Sequence, residues 1–130
     1  MLHGFSRGSA NAYAVMALDS GRGHQYFSFA VASSGGVALD YPPTRAILAG
    51  VFGLRPLLNT RWVTSAGARD PNPDRDGIPA MRRTAAWLKE QGATVLMTIE
   101  DPTEGHGALQ RNSKNTKQLL DLLFSEKGAP

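Results

Sequence analysis

The alternation of strand-like and helix-like segments along this chain is the feature that most constrains its fold. Three short runs rich in β-branched and aromatic residues predict strands, because such residues suit a buried, pleated surface. They lie at 26–32, 61–65 and 94–99. Helical patterns separate or flank these runs, and strands joined through helices pair in parallel by right-handed crossovers. Residues 1–130 are therefore expected to form a single α/β domain, a short parallel sheet flanked by helices.

A tight turn is predicted near the start of the chain by the segment Gly4 to Gly8. Its sequence, GFSRG, matches the pattern G-x-S-x-G, in which a strand turns sharply into a helix and exposes the serine hydroxyl for attack. The two glycines are expected to let strand and helix pass closely, because they lack a Cβ. Ser6 is thus a candidate nucleophile. The alternative interpretation is an ordinary serine in a glycine-rich turn.

Two further polar residues follow the ends of predicted strands. Asp70 comes shortly after the run 61–65, and His106 comes shortly after the run 94–99. Functional groups of parallel sheets gather at the carboxyl ends of the strands, so we expect Ser6, Asp70 and His106 to lie together. A serine hydroxyl needs a base to take its proton, histidine has a suitable pKa, and an acid fixes the histidine tautomer.

Two other acidic residues compete with Asp70. Asp74 and Asp76 are near it in the sequence, but they lie further from the strand end and have the positions of turn and helix-capping residues. Asp76 is expected to cap a helix that has Pro79 in its first turn and Gly92 past its end. Asp70 itself has an alternative interpretation as a residue that only shapes its loop.

The chain has three histidines and no cysteine. His106 has the position of a candidate base, with an ordinary loop histidine as the alternative. His3 is assigned to the strand that leads into Ser6, and His24, after a Gly-Arg-Gly segment that ends a helix, is expected to be exposed. Scattered histidines without cysteine do not have the ligand spacing of a metal site, so neither a metal nor another cofactor is predicted.

Three segments resemble parts of the α/β-hydrolase superfamily, in which serine, aspartate and histidine occur in this order. Ala66 to Pro73, AGARDPNP, resembles the acid loop, and Glu104 to Leu109, EGHGAL, resembles the histidine loop. Trp87 to Ala93 resembles the helix-to-strand join between them. The whole chain resembles the carboxyl-terminal half of esterases near the carboxylesterase and polyhydroxybutyrate-depolymerase-like branches. This implies a minimal or truncated α/β-hydrolase half, without the amino-terminal half of the family fold.

The resemblance implies a serine esterase that hydrolyses short-chain carboxylic esters through an acyl-enzyme on Ser6. His106 would be the base, Asp70 the acid, and the backbone N–H of Arg7 one donor of the oxyanion hole. The family takes its second donor from the amino-terminal half, so slow turnover is expected. Two alternatives remain open: an inactive truncated hydrolase that serves as an interaction domain, and an acyltransferase or thioesterase with the same three residues.

The irregular segment 37–60 and the predicted sheet edge carry the remaining structural expectations. Tyr41, Phe52 and Leu54 are candidates for a substrate wall. The sheet edge beside 26–32 is expected to be uncovered. Because an exposed apolar edge recruits another chain, a homodimer or higher oligomer is predicted.

Composition and charge argue against several classes of partner. The formal net charge is only +3, and no aromatic residues interleave with the basic ones, so nucleic-acid binding is not expected. No run of about 18 apolar residues is present, so no membrane span is predicted. The first residues lack the pattern of a signal peptide, which favours a soluble, cytoplasmic protein.

Overall fold

A four-stranded, all-parallel sheet forms the centre of the protein in a computed structural model, which describes residues 1–21 and 25–128. The strands follow one another across the sheet in chain order: β1 Leu2–Phe5, β2 Ala30–Ser33, β3 Arg61–Gly67 and β4 Thr94–Asp101. The helices are α1 Arg7–Gly21, α2 Pro42–Leu48, α3 Ile78–Glu90, α4 Ala108–Arg111 and α5 Ser113–Gly128. This architecture confirms the predicted α/β fold. Among the described residues, no helix combines the length and the apolar character needed to cross a bilayer.

Helices cover both faces of the sheet, because successive side chains of a strand point to opposite faces. Ala30, Ala32 and Trp62 pack on one face in a cluster with residues of α1 and α3. Val31 and Val63 pack on the other face with residues of α4 and α5. Strands that are buried on both faces appear in a sequence as continuous apolar runs, which explains why the interior strands could be recognised.

The second strand is shorter than the sequence predicts, and it does not lie at the edge of the sheet. It begins at Ala30, because the carboxylate of Asp19 in α1 accepts the backbone N–H groups of Tyr26 (3.0 Å) and Phe27 (3.1 Å). β2 pairs with β1 on one side and with β3 on the other. The predicted open edge at 26–32 is therefore wrong. Within the part of the chain that the structure describes, β1 and β4 are the edge strands.

The third helix, α3, ends as predicted but begins differently. Pro79 lies in its first turn, and Gly92, with φ +86°, lies just past its end, since glycine adopts this left-handed conformation without steric strain. Gly77, not Asp76, directly precedes the helix. Asp76 accepts a hydrogen bond from the guanidinium of Arg75 at 3.0 Å instead, so its predicted capping role is wrong.

Candidate active site

Ser6 makes the turn between β1 and α1 alone, and its backbone is strained. β1 ends at Phe5 and α1 begins at Arg7. The φ angle of Ser6 is +57°, a left-handed value that is uncommon outside glycine and costs on the order of 1–3 kcal/mol. The backbone N–H of Ser6 donates to the carbonyl oxygen of Ser33 at 2.9 Å, which fixes the turn against β2. This strand–turn–helix geometry lies at the carboxyl edge of the sheet.

Of the two glycine positions in the turn, only one requires glycine for close packing. A Cβ at Gly4 would lie 2.5 Å from the carbonyl oxygen of Gly8, whereas a Cβ at Gly8 would meet nothing within 4 Å. The steric expectation therefore holds for Gly4 and is wrong for Gly8. Gly35, in the loop after β2, is also sterically required, because a Cβ there would overlap the carbonyl oxygen of Ser6.

The structure brings Ser6, His106 and Asp70 into one chain of hydrogen bonds. Nε2 of His106 lies 3.0 Å from Oγ of Ser6, and Nδ1 lies 2.8 Å from Oδ2 of Asp70. A carboxylate only accepts hydrogen bonds, so Nδ1 carries the proton and Nε2 accepts from the serine hydroxyl. The arrangement can therefore remove a proton from Ser6.

Asp70 lies at the buried end of this chain of hydrogen bonds. Its side chain has no exposed surface, whereas 33% of the His106 side chain is exposed. Its second oxygen, Oδ1, accepts the backbone N–H of Asn72 at 2.9 Å. Both carboxylate oxygens thus have partners, which offsets the cost of burying a charged group, while His106 stays accessible from solvent.

The loops that carry Asp70 and His106 are joined through their backbones. The N–H of Arg69 donates to the carbonyl oxygen of Glu104 at 3.0 Å. A Cβ at Gly67 would overlap the same carbonyl oxygen, so the two loops approach as closely as glycine permits. The parallel pairing of β3 with β4 therefore brings the acid loop to the histidine loop.

The imidazole of His106 packs against the end of β1, and a left-handed glycine follows the histidine in the chain. The ring of Phe5, the last residue of β1, has its centroid 4.9 Å from that of His106. Gly107, with φ +88°, follows the histidine and precedes α4. The aromatic contact therefore joins the imidazole to the strand that leads into Ser6.

Asp101 is a residue whose role the sequence analysis missed. It ends β4, is 3% exposed, and its carboxylate accepts five hydrogen bonds of 2.6–3.0 Å. The donors are the backbone N–H and hydroxyl of Thr103, the backbone N–H of Glu104, and the side-chain amides of Asn112 and Asn115. The Thr103 backbone N–H above all holds the pKa of Asp101 well below its usual range, although burial opposes the shift. The Asp-Pro pair at 101–102 is a turn signal that could have identified it.

Of the two rival acids, only Asp76 lies close to the hydrogen-bonded chain. Asp74 is exposed. Asp76 is buried, and its carboxylate lies within 4.8 Å of ligand atoms of Asp70 and His106. Among residues 1–21 and 25–128, these three side chains form a group that is close enough together to hold a metal ion. Both nitrogens of His106 are already hydrogen-bonded to Asp70 and Ser6, so a cation there would have to displace one of them.

Arg7 and His3 lie on either side of Ser6 in the sequence. Arg7 is the first residue of α1, where N–H groups have no partner within the helix and the helix dipole favours negative charge. Its backbone N–H therefore needs a partner outside the helix, and Arg7 directly follows Ser6 in the chain. His3 lies in β1, opposite Val31 of β2, and His24 lies outside the described residues.

A cavity of about 240 Å³ opens beside Ser6. It is also lined by Arg7, Ala10, Gly35, Gly36, Ala38, Tyr41, Arg75 and Asp76. Of the predicted wall residues, Tyr41 lies here, but Phe52 and Leu54 do not, and their assignment is corrected. Phe52 lines a separate groove with Leu18 near the far end of α1, and Leu54 is fully exposed. A helix of this length separates its two ends by about 20 Å.

Comparison with known proteins adds information about the fold. No protein-family model and no curated protein matches the chain. Among solved structures, the chain is similar to the crystal structure of the protein Atu2452 of unknown function from Agrobacterium tumefaciens str. C58, with a TM-score of 0.58 and 22% identity. The match covers 95% of this chain and 50% of that one, so this chain spans about half the length of that protein. At this identity the likeness shows a shared fold.

Proposed function

We propose that this protein is a serine esterase that hydrolyses short-chain carboxylic esters through an acyl-enzyme on Ser6. The observation that carries the proposal is the hydrogen-bonded chain from Ser6 through His106 to Asp70. This chain begins at a left-handed turn between a strand and a helix, as in serine hydrolases. We also propose that the protein is related to the carboxyl-terminal half of α/β-hydrolases, on the order and local sequence of these three residues.

In the first half of the reaction, His106 acts as a general base. Its Nε2 takes the proton of the Ser6 hydroxyl as Oγ attacks the ester carbonyl carbon, and the carbonyl π electrons move to the oxygen. The imidazolium then gives this proton to the alcohol oxygen as the ester C–O bond breaks. An acyl-serine and a free alcohol result. Asp70 stays ionised and stabilises the imidazolium.

In the second half, water takes the place of the alcohol. Nε2 of His106 takes a proton from water, whose oxygen attacks the acyl carbon, and this proton passes to Oγ of Ser6 as the acyl–serine bond breaks. The products are a carboxylic acid and the free serine. In both halves, the backbone N–H of Arg7 donates to the oxygen that becomes negative.

The size of the cavity supports a short acyl chain. Its volume is about 240 Å³, and several of its walls are small residues, Ala10, Gly35, Gly36 and Ala38. Pockets for drug-sized ligands typically have volumes of about 300–1,000 Å³. A cavity below that range suits an acyl group of few carbons.

A single identified oxyanion donor is the reason to expect slow turnover. The edge strand beside Ser6 is the reason to expect association with another chain. Removal of one of the usual two donors costs about 10²–10³ in kcat, and another chain could supply a second donor. Among the residues that the structure describes, β1 is an edge strand that leads directly into Ser6, and Phe5 on it is 39% exposed; such edges pair with other chains. We therefore expect a homodimer or higher oligomer. Light scattering at micromolar concentration that finds only monomer would contradict this.

Covalent labelling and turnover test the esterase proposal together. A fluorophosphonate probe should modify Ser6, detected by the mass of the peptide that contains it, and p-nitrophenyl acetate should be hydrolysed faster than in buffer. Ser6→Ala should abolish both. Ser28→Ala removes an exposed serine in the loop before β2 and, as the matched control, should retain both.

Several outcomes would argue against this function. An unlabelled wild-type protein, or equal turnover by wild type and Ser6→Ala, would contradict a nucleophilic Ser6. Labelling without turnover of any ester would favour an inactive hydrolase that serves as an interaction domain. Faster transfer to an added alcohol than to water, or faster reaction with thioesters than with esters, would favour an acyltransferase or thioesterase.

A further inference from the structure

The carboxylate of Asp101 organises the turn that leads into His106. Its Oδ1 accepts the backbone N–H and the hydroxyl of Thr103, at 2.8 and 2.9 Å, and the backbone N–H of Glu104 at 3.0 Å. Three donors on one oxygen fold residues 101–104 into a tight turn. The turn ends two residues before His106, so its conformation determines where the backbone of His106 lies.

The same carboxylate also holds the chain that follows the histidine. Its Oδ2 accepts the side-chain amides of Asn112 at 2.6 Å and Asn115 at 2.7 Å. The amide of Asn115 donates in addition to the carbonyl oxygen of Ala108 at 3.0 Å. One buried group, Asp101, therefore restrains the segment on both sides of His106.

The segment restrained in this way is the one on which the acid loop rests. The carbonyl oxygen of Glu104 accepts the backbone N–H of Arg69, which directly precedes Asp70. The carbonyl oxygen of Asp101 accepts the backbone N–H of Ala68 at 2.8 Å. A shift of the 101–104 turn would therefore move the histidine loop relative to Asp70.

The chemistry of the donors calls for a carboxylate at this position. All five donors are neutral N–H or O–H groups, and an ionised carboxylate can accept from every one of them. An asparagine at position 101 would keep one acceptor oxygen but turn an NH₂ group toward the amides of Asn112 and Asn115. A buried polar group without a partner is costly, so this substitution should loosen the segment.

We propose that Asp101 is a positioning residue, which holds the histidine loop so that Nδ1 of His106 reaches Asp70 and Nε2 reaches Ser6. The proposal rests on the proposed function of these three residues. It also predicts an effect on the hydrogen bonds of His106 that can be measured without turnover. None of the hydrogen bonds of Asp101 described above goes to Ser6, His106 or Asp70.

The test uses Asp101→Asn in the whole chain, with two readouts. The first is p-nitrophenyl acetate hydrolysis: kcat should fall by about 10–10²-fold with little change in KM, since a small misplacement of a catalytic group can cost about 10² in rate. The second is the downfield proton resonance of the His106 Nδ1–H in its hydrogen bond to Asp70. This resonance should be present in wild type and broadened or absent in Asp101→Asn.

A matched control separates positioning from a general loss of stability. Asp19 is also buried, and its carboxylate also accepts two backbone N–H groups, but these belong to the loop before β2. Asp19→Asn should lower the unfolding temperature while it retains both kcat and the downfield resonance. The double variant Asp101→Asn with Asn112→Asp exchanges the carboxylate and the amide of one hydrogen-bonded pair. It should recover part of kcat and part of the downfield resonance.

The result that would overturn the proposal is a folded Asp101→Asn protein with the kcat and downfield resonance of the Asp19→Asn control. If Asp101→Asn does not fold, Asn112→Ala decides by the same readouts, because it removes one donor and leaves the 101–104 turn in place. Unchanged readouts in Asn112→Ala would then count against the proposal, and a smaller loss in both would support it. A wild-type protein with the resonance but no turnover would contradict the esterase, while loss of the resonance in Asp101→Asn would still support positioning.

Discussion

The backbone N–H of Arg69 donates to the carbonyl oxygen of Glu104 at 3.0 Å, and this bond joins the loop of Asp70 to the loop of His106. Nδ1 of His106 then lies 2.8 Å from Oδ2 of Asp70. Side chains 36 residues apart thus meet because the main chains of two neighbouring parallel strands are in contact at their carboxyl ends. Substitutions in the loops and in the turn at Ser6 should therefore report on the site as directly as substitutions of the three residues themselves.

Replacement of the acid should slow the reaction strongly while the fold is retained. Asp70→Asn should lower kcat for p-nitrophenyl acetate by about 10⁴-fold, because an amide permits the tautomer in which Nε2 carries the proton and cannot accept one from Ser6. The rates of p-nitrophenyl acetate hydrolysis and of fluorophosphonate labelling measure the effect. Asp74→Asn, at an exposed position, is the control and should keep wild-type turnover. A loss in Asp76→Asn as large as that in Asp70→Asn would instead identify Asp76 as the acid.

The two glycines of the Ser6 turn should respond oppositely to alanine. Gly4→Ala places a methyl group 2.5 Å from the carbonyl oxygen of Gly8, so the unfolding free energy should fall by about 1–3 kcal/mol. Gly8→Ala adds a methyl group in open space within α1 and should leave the unfolding free energy unchanged or raise it by up to about 1 kcal/mol. Urea unfolding of both variants measures the difference. Equal effects would contradict the packing described at Gly4.

The unfolding free energy should decrease in acid because of Asp101. The pKa of this group in the folded protein lies below the value of about 3.9 expected for an unfolded aspartate, since hydrogen bonds favour its charged form. A lowered folded-state pKa contributes stability that is complete above the unfolded-state value and is lost as the pH falls toward the folded-state value. Urea unfolding should therefore show a loss of stability below about pH 4 that Asp101→Asn lacks.

Glu100, the neighbour of Asp101, is the control for this acid dependence. The pKa of Glu100 is also lowered, by its hydrogen bonds with Arg82 at 2.6 and 2.9 Å. The Arg82 side chain is 70% exposed, however, and exposed ion pairs contribute less than about 1 kcal/mol. Glu100→Gln should retain most of the acid dependence. The same dependence in wild type and Asp101→Asn would show that other groups cause it.

The cavity beside Ser6 should set the length of the acyl chain. Ala38→Leu enlarges a wall residue of that cavity, so the ratio of kcat/KM for p-nitrophenyl butyrate to that for the acetate should fall by about tenfold or more, because the misfit of a single methylene group in an apolar pocket already costs that much. Leu54→Ala, at a fully exposed position, should leave the ratio unchanged. A change in the Leu54→Ala ratio would restore Leu54 as a wall residue.

Local patterns were sufficient to recognise the interior strands, though not the start of β2, and to predict that Ser6, Asp70 and His106 lie together. A run such as Trp62 and Val63 is apolar because helices cover both faces of the sheet. Ser6 is marked by glycines two positions before and after it, and at Gly4 the reason is a backbone contact with the following helix. Asp70 and His106 follow strand ends, and parallel strands end at one edge.

Errors arose where a residue at a distance overrode the local pattern. Tyr26 and Phe27 have strand-forming side chains, yet Asp19 binds their backbone N–H groups and keeps them out of the sheet. Phe52 and Leu54 belong to a segment without periodicity, so nothing in the sequence indicates which end of α1 they approach.

The order of strands and helices and the choice of Ser6, Asp70 and His106 as candidate site residues follow from short stretches of sequence, because strand formation and sharp turns depend on adjacent residues. Only the tertiary structure decides which strand is at the edge, which residues surround Ser6, and how Asp101 holds the histidine loop. These features depend on hydrogen bonds and burial between segments that are distant in sequence, and such contacts leave no periodic pattern in the residues that make them.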